Sequence, residues 1–166
     1  NLVDEKNRNA LWYAADFANE SLVKTLIYAK SNVKQLDSTG YSPLMRAVIN
    51  DCISCIATLL NAGANAQKQT ANANSALMYA AQGKPDILAL ILNFNHNNKN
   101  GGELNIKQRN NNSLTPLMLA VKSRCAQCVK LLLNAGSNPK RKNDQGQNAF
   151  ELAKGNNKII TLLNQY

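Results

Sequence analysis

Four cysteines are the side chains best placed to do chemistry, and they stand in two identical spacings: Cys52-Ile53-Ser54-Cys55 and Cys125-Ala126-Gln127-Cys128. Each pair opens a segment with helical hydrophobic spacing, and such a pair has three possible fates. It can stay reduced, with the second Cys serving as a small buried hydrophobe. It can close as a local disulfide, which suits four cysteines in two local pairs and an oxidising compartment. It can also exchange thiols, because a helix N-terminus lowers a thiol pKa. A thioredoxin-like oxidoreductase would bring a βαβ context, and none is visible. The only histidine, His96, falls in a polar stretch, so no Ser-His-acid set can be assembled without relying on a loop residue. There is no Gly-rich phosphate loop before a helix and no His-rich metal spacing. The expectation is therefore a chain without enzymatic activity, cofactor or metal.

The elements that position the cysteines repeat. Ser42-Pro43-Leu44-Met45-Arg46-Ala47 returns as Thr115-Pro116-Leu117-Met118-Leu119-Ala120 and as Ser75-Ala76-Leu77-Met78-Tyr79-Ala80. Weaker copies lie at Asn9-Ala10-Leu11-Trp12-Tyr13-Ala14 and Asn148-Ala149-Phe150-Glu151-Leu152-Ala153. The central apolar residues sit at 11, 44, 77, 117 and 150, at intervals of 33, 33, 40 and 33. A fixed period of this length means stacked units, none of which can bury its apolar face alone. Each cysteine pair starts the second helix of its unit, and the two pairs lie two units apart. Packed helices stand about 10 Å apart, so roughly 20 Å separates the pairs. Zinc–sulfur bonds of about 2.3 Å cannot bridge that distance, so one four-cysteine zinc site is excluded.

Within a unit the order is constant. Asn9, Ser42, Ser75, Thr115 and Asn148 are N-cap types, supplying a side-chain oxygen to free backbone N–H groups. Pro43 and Pro116 follow where a proline costs no hydrogen bond. A short helix carries Leu44, Ala47 and Val48, or Leu117, Ala120 and Val121, on its buried side. After a polar break the second helix carries Ile56, Leu59 and Leu60, or Val129, Leu132 and Leu133. It stops at Gly63 or Gly136, which suit a left-handed C′ position.

These motifs resemble the ankyrin-repeat family, whose marks are Thr-Pro-Leu-His-x-Ala, a second helix ending in Gly, and a Gly-Ala-Asp linker. The matching residues are Pro43-Leu44-Met45-Arg46-Ala47, Pro116-Leu117-Met118-Leu119-Ala120, Gly63-Ala64-Asn65 and Gly136-Ser137-Asn138. The resemblance covers about residues 4–166. It implies an all-α ankyrin-repeat solenoid of about five helix-turn-helix repeats with short hairpin-like tips. Met45, Met78, Met118, Trp12 and Glu151 replace the family's usual His. That removes imidazole hydrogen bonds between hairpins and predicts looser hairpin stacking.

The expected division is one domain, 1–166, with repeats at about 4–36, 37–69, 70–109, 110–142 and 143–166. The last is shortened and is expected to act as a C-terminal cap, since an end unit has no neighbour to cover its outer face. The long interval points to an inserted polar loop at 96–103, after a helix expected to end near Asn95. Such a loop is either tolerated cheaply or reaches a partner. The chain starts at Asn1 without an initiator Met, which fits a removed signal or a trimmed end.

In the family, the hairpin tips and the exposed side of the first helices line a concave groove. By position this gives the tip residues Arg8, Tyr41, Asn74, Leu114 and Gln147. It also gives Phe17, Ile49, Asn50 and Lys122 at the ends of first helices. Tyr41, Leu114, Phe17 and Ile49 are apolar where an unused surface would be polar. They are either partner-binding anchors or tucked against the next unit.

The net charge of +9 is lopsided. Residues 1–66 carry six acids and six bases, whereas residues 67–166 carry four acids and 13 bases. The basic half is either a solvated face or a docking surface for an acidic partner protein. Nucleic acid is not expected, because the basic residues lack interleaved aromatics. No apolar run reaches membrane-spanning length. The chain is expected to be monomeric alone. Closed cysteine pairs would place it in the periplasm or outside the cell, and reduced ones in the cytoplasm.

Overall fold

The computed structural model describes residues 2–97 and 104–166. Among them ten helices follow in order: α1 (Ala10–Asp16), α2 (Glu20–Tyr28), α3 (Pro43–Ile49), α4 (Ile53–Asn61), α5 (Ala76–Ala81), α6 (Pro85–Asn97), α7 (Pro116–Lys122), α8 (Ala126–Asn134), α9 (Ala149–Leu152) and α10 (Asn157–Leu163). Consecutive helices pack in pairs. The first helices α1, α3, α5, α7 and α9 stack as one layer, and the second helices α2, α4, α6, α8 and α10 as another. The result is an all-α solenoid. Its only β character among the described residues is two isolated bridges at hairpin tips, Val3 with Asn9 and Gln69 with Ser75.

The first helices begin where the sequence places their caps. Asn9, Ser42, Ser75, Thr115 and Asn148 hold extended backbone, and their side chains accept the N–H of Trp12, Met45, Met78, Met118 and Glu151. Each such cap contributes about 1 kcal/mol. Asn148 and Glu151 complete a reciprocal capping box. At the other end, Gly63 and Gly136 follow the C-caps Ala62 and Ala135 with φ of +86°. That left-handed geometry is natural to glycine, and it releases the chain into the linker.

The core runs the length of the stack. Leu11, Leu44, Leu77 and Leu117 are essentially inaccessible, and one cluster of buried side chains extends from Leu11 to Leu163. Met45, Met78 and Met118, at the positions where the resemblance expects His, are also fully buried. The hairpin tips nevertheless stay tied. Ser38 N–H donates to the Lys6 carbonyl at 2.8 Å, Ala71 N–H to Thr39 at 2.9 Å, and Asn111 N–H to Asn72 at 3.1 Å. Backbone bonds thus tie neighbouring tips at these three junctions. α6 also departs from expectation. It runs to Asn97 rather than ending near Asn95, so the start of the expected 96–103 loop is helical. Residues 98–103 of that loop lie outside the described residues.

Candidate partner-binding surface

Each hairpin tip is closed by one polar side chain seven residues before the unit's core apolar residue. Asp4 Oδ1 accepts the N–H of Lys6 and Arg8 at 3.0 and 2.9 Å. Asp37 Oδ1 accepts from Thr39 and Tyr41, and Thr70 Oγ1 from Asn74. Asn110 Oδ1 accepts from Asn112 and Leu114, and Asn143 Oδ1 from Gln145 and Gln147. A short polar side chain bonding the backbone ahead of it fixes such a turn. The tips are therefore preorganised, which lowers the ordering cost of any binding event.

The tip residues and the first helices make one surface whose character changes along the stack. At its start, Phe17 is 75% exposed and stacks on Tyr13 with ring centroids 6.4 Å apart. Arg8 lies 4.8 Å from the Tyr13 ring centroid, and Arg46 lies 4.9 Å from that of Trp12. Both arginines are pinned by carboxylates: Arg8 by Asp4, and Arg46 by Asp16. Asn50 is exposed and donates its amide to Asp16 at 3.2 Å. Ile49 is half-buried, and its carbonyl accepts from Lys84 Nζ at 2.9 Å. Tyr41 is also half-buried. Its ring stacks on Tyr79 at 5.9 Å, and its hydroxyl accepts from Tyr79 at 3.0 Å. Burial, then the Tyr41 hydroxyl, pushes the Tyr79 phenol up to about 12. Hydrogen bonds from the Arg8 side chain and backbone hold Asp4 well below the usual carboxylate range.

Further along, Asn74 accepts from the Asn110 amide at 3.0 Å, which links two tips. Leu114 corrects an expectation. It is not an exposed anchor but is 6% accessible, packed in a satellite cluster with Met78, Met118 and Leu119. The methionines that replace His make an apolar floor here, and the fourth tip turns Leu114 onto it. Lys122, in the last turn of α7, is exposed. Gln147 is half-buried and accepts from the Asn143 amide at 3.3 Å. Leu114, Lys122 and Gln147 together line a cavity of about 390 Å³ between the fourth and fifth tips.

Sequence reasoning missed one row of the surface. Tyr13, Arg46, Tyr79 and Leu152 are half-buried and each stand two residues after the core position, on the first helices; Leu119 holds the same place in the fourth unit but is buried. The signal was the same period that found the repeats, read two residues on.

The charge asymmetry has a structural counterpart. The neutral half pairs internally through Arg8–Asp4, Lys24–Glu20 and Arg46–Asp16, and Asp51 takes Lys84. In the basic half, Arg109–Asp144, at 3.7 Å, is the one ion pair formed wholly within it among the described residues.

The cysteines occupy a capping position. Cys52 and Cys125 are the N-caps of α4 and α8, and their sulfurs accept the N–H of Cys55 and Cys128 at 3.3 and 3.1 Å. Asn19 and Asn156 fill the same place on α2 and α10. Both pairs are closed, with Cα atoms 5.2 Å apart in each, and there is no free cysteine. No cluster of three or more His, Cys, Asp or Glu fit to hold a metal occurs among the described residues. No helix there is long and apolar enough to cross a membrane.

Comparison with known proteins places these features. The family model described as "Ankyrin repeats (3 copies)" matches residues 1–70, 59–143 and 77–166. The chain is 32% identical over 122 residues to Inversin of Homo sapiens, covering 72% of this chain and 11% of that protein. It is 32% identical over 122 residues to Inversin of Canis lupus familiaris (72% of this chain, 10% of that protein) and 31% to that of Mus musculus (72% and 11%). The chain thus spans about a tenth of the length of these curated relatives.

Proposed function

The chain belongs to the ankyrin-repeat family, and from that premise we propose that it holds a partner protein in the groove lined by its hairpin tips and first helices. Ankyrin repeats mediate protein–protein interaction, and the family is typically non-enzymatic. The observation that carries the reading is the aromatic surface of the first three units. Phe17 is 75% exposed on a stacked Tyr13, beside the Tyr41–Tyr79 stack. Aromatic rings held rigidly on a preorganised scaffold are the usual anchors of interface energy. The apolar centre of the groove is therefore Tyr13, Phe17, Tyr41 and Tyr79, with Arg8, Ile49, Asn50 and Asn74 around it. The basic half steers an acidic partner toward the other end.

Among uses of such a groove, an inhibitor or immunity-type protein that occludes a partner enzyme fits two closed cysteine pairs, which belong to an oxidising compartment. An adaptor or effector module in a reducing cytosol is the competing use. Affinity capture with mass spectrometry from the source organism names the partner. Binding is then compared for wild type, Phe17→Ala and Tyr41→Ala. Each substitution is expected to weaken affinity by about 10-fold or more. Unchanged affinity in both overturns the groove reading.

A second reading, thiol–disulfide exchange, rests on the cysteine pairs at helix N-caps, where a thiolate is stabilised. Turnover of a dithiol substrate by wild type, lost in Cys52→Ser and Cys125→Ser, would establish it. No turnover rejects it.

A further inference from the structure

We infer that the cavity between the fourth and fifth hairpin tips receives a carboxylate side chain, Asp or Glu, from the partner protein. The inference rests on the groove reading and names what one end of the groove recognises. The cavity, of about 390 Å³, has room for such a side chain with its methylene stem. Lys122, Asn112, Gln145 and Gln147 are among the residues that line it. Lys122 is exposed and makes no ion pair among the described residues. Gln147 uses its oxygen to accept from Asn143, which leaves its amide N–H groups to donate. One acid also lines the wall. Asp144 accepts from the Ser113 hydroxyl and faces the Arg109 guanidinium at 3.7 Å, so it already has partners within the chain. What the cavity offers an incoming group is one unmatched cation and several neutral donors, the complement of a carboxylate.

The rest of the groove makes this location specific. Arg8 and Arg46 already hold Asp4 and Asp16. A partner's acid would have to displace those carboxylates from their own arginines there, whereas Lys122 is held by no carboxylate among the described residues and the one acid in its cavity, Asp144, is turned to Arg109 and Ser113. The groove is therefore directional, with an aromatic slab at the first unit and an unmatched cation at the fourth. A nucleic-acid phosphate fits less well. The rings a base would stack on, Tyr13, Phe17, Tyr41 and Tyr79, lie in the first three units, and Lys122 has none in its cavity. Phosphate-tracking proteins interleave the two.

The test uses a displayed library of random 12-residue peptides, selected on the chain with its cysteines oxidised. Selected peptides are then measured against wild type, Lys122→Met and Phe17→Ala. The expected result is enrichment of Asp or Glu, with affinity falling about 10-fold in Lys122→Met and the salt dependence becoming shallower. Peptides that Phe17→Ala weakens but Lys122→Met leaves untouched overturn the inference and keep the groove reading. Peptides that neither substitution affects overturn both. A mixed-sequence single-stranded oligonucleotide is titrated in parallel. If it binds as tightly as the selected peptides and loses as much in Lys122→Met, the cavity reads phosphate and the inference fails.

Discussion

Replacing Gly40 with alanine is expected to cost clearly more stability than the same change at Gly146. Both stand four residues before the core apolar residue of their unit, with φ of +86° and +74°. The left-handed backbone alone is inexpensive at this place. Asn7, Ala73 and Ser113 hold φ of 61°, 58° and 55° at the equivalent positions, each with a side chain. Putting an L-residue there costs about 1 kcal/mol. Room is what differs. A Cβ on Gly40 would stand 2.9 Å from Thr70 Cα, 3.2 Å from Ala71 N and 3.2 Å from Gln69 O, all of them backbone. A Cβ on Gly146 would meet nothing within 4 Å. The second tip can take the methyl only by pushing the third away, at about 1–3 kcal/mol more. The Ala71–Thr39 bond that ties the two tips lies at the same point. Gly146→Ala should therefore cost about 1 kcal/mol and Gly40→Ala about 2–4 kcal/mol. Urea unfolding followed by far-UV circular dichroism measures both. Equal costs would refute the reasoning, because the tip-to-tip approach would then carry no energy.

Three further outcomes follow from the same geometry. Tyr79 is expected to ionise near 12 rather than 10. Its raised pKa contributes stability that is complete below pH 10 and lost as pH rises toward 12, and an ultraviolet titration of Tyr79→Phe should lack the late step. Asp4 has a depressed pKa, so its contribution is present above its ordinary value of 3.8 and is lost as pH falls below that value. Protection of the first unit's amides, relative to their intrinsic exchange rates, should fall in that acid range for wild type, and Asp4→Asn should show no such step. Alkylation without reductant should label no cysteine, and alkylation after reduction should label four. Four labels without reductant contradict the closed pairs. Each closes a loop of only about four residues, so reduction should cost at most about 2 kcal/mol per pair and leave the chain folded.

Much of the fold was written in local signals. The core leucines at 11, 44, 77 and 117, the caps from Asn9 to Asn148, and the stops at Gly63 and Gly136 each act within one turn of backbone, so spacing alone reveals them. The tip-closing residues Asp4, Asp37, Thr70, Asn110 and Asn143 were equally visible, seven residues before each core position. They are easily passed over because their chemistry varies from carboxylate to hydroxyl to amide. The surface was harder to read. Whether Leu114 faces solvent depends on Met78 and Met118 beneath it, and Met78 belongs to the neighbouring unit. Arg46 and Asp16 are 30 residues apart in sequence, so their neutralising each other could not be seen from composition. The last two residues of α6 escaped because Asn95 carries no definite stop signal; Asn disfavours a helix only weakly. The cysteine spacing was plain, but spacing does not choose between thiol and disulfide.

The central claim is that this chain binds a protein through its concave groove. Hydrogen–deuterium exchange of the chain with and without its captured partner tests it most directly. The account predicts protection at the tips around Arg8, Tyr41 and Gln147 and along α1, α3 and α7, with α4, α6 and α8 unchanged. Protection confined to those outer helices, with the tips and first helices exchanging as in the free chain, would contradict it.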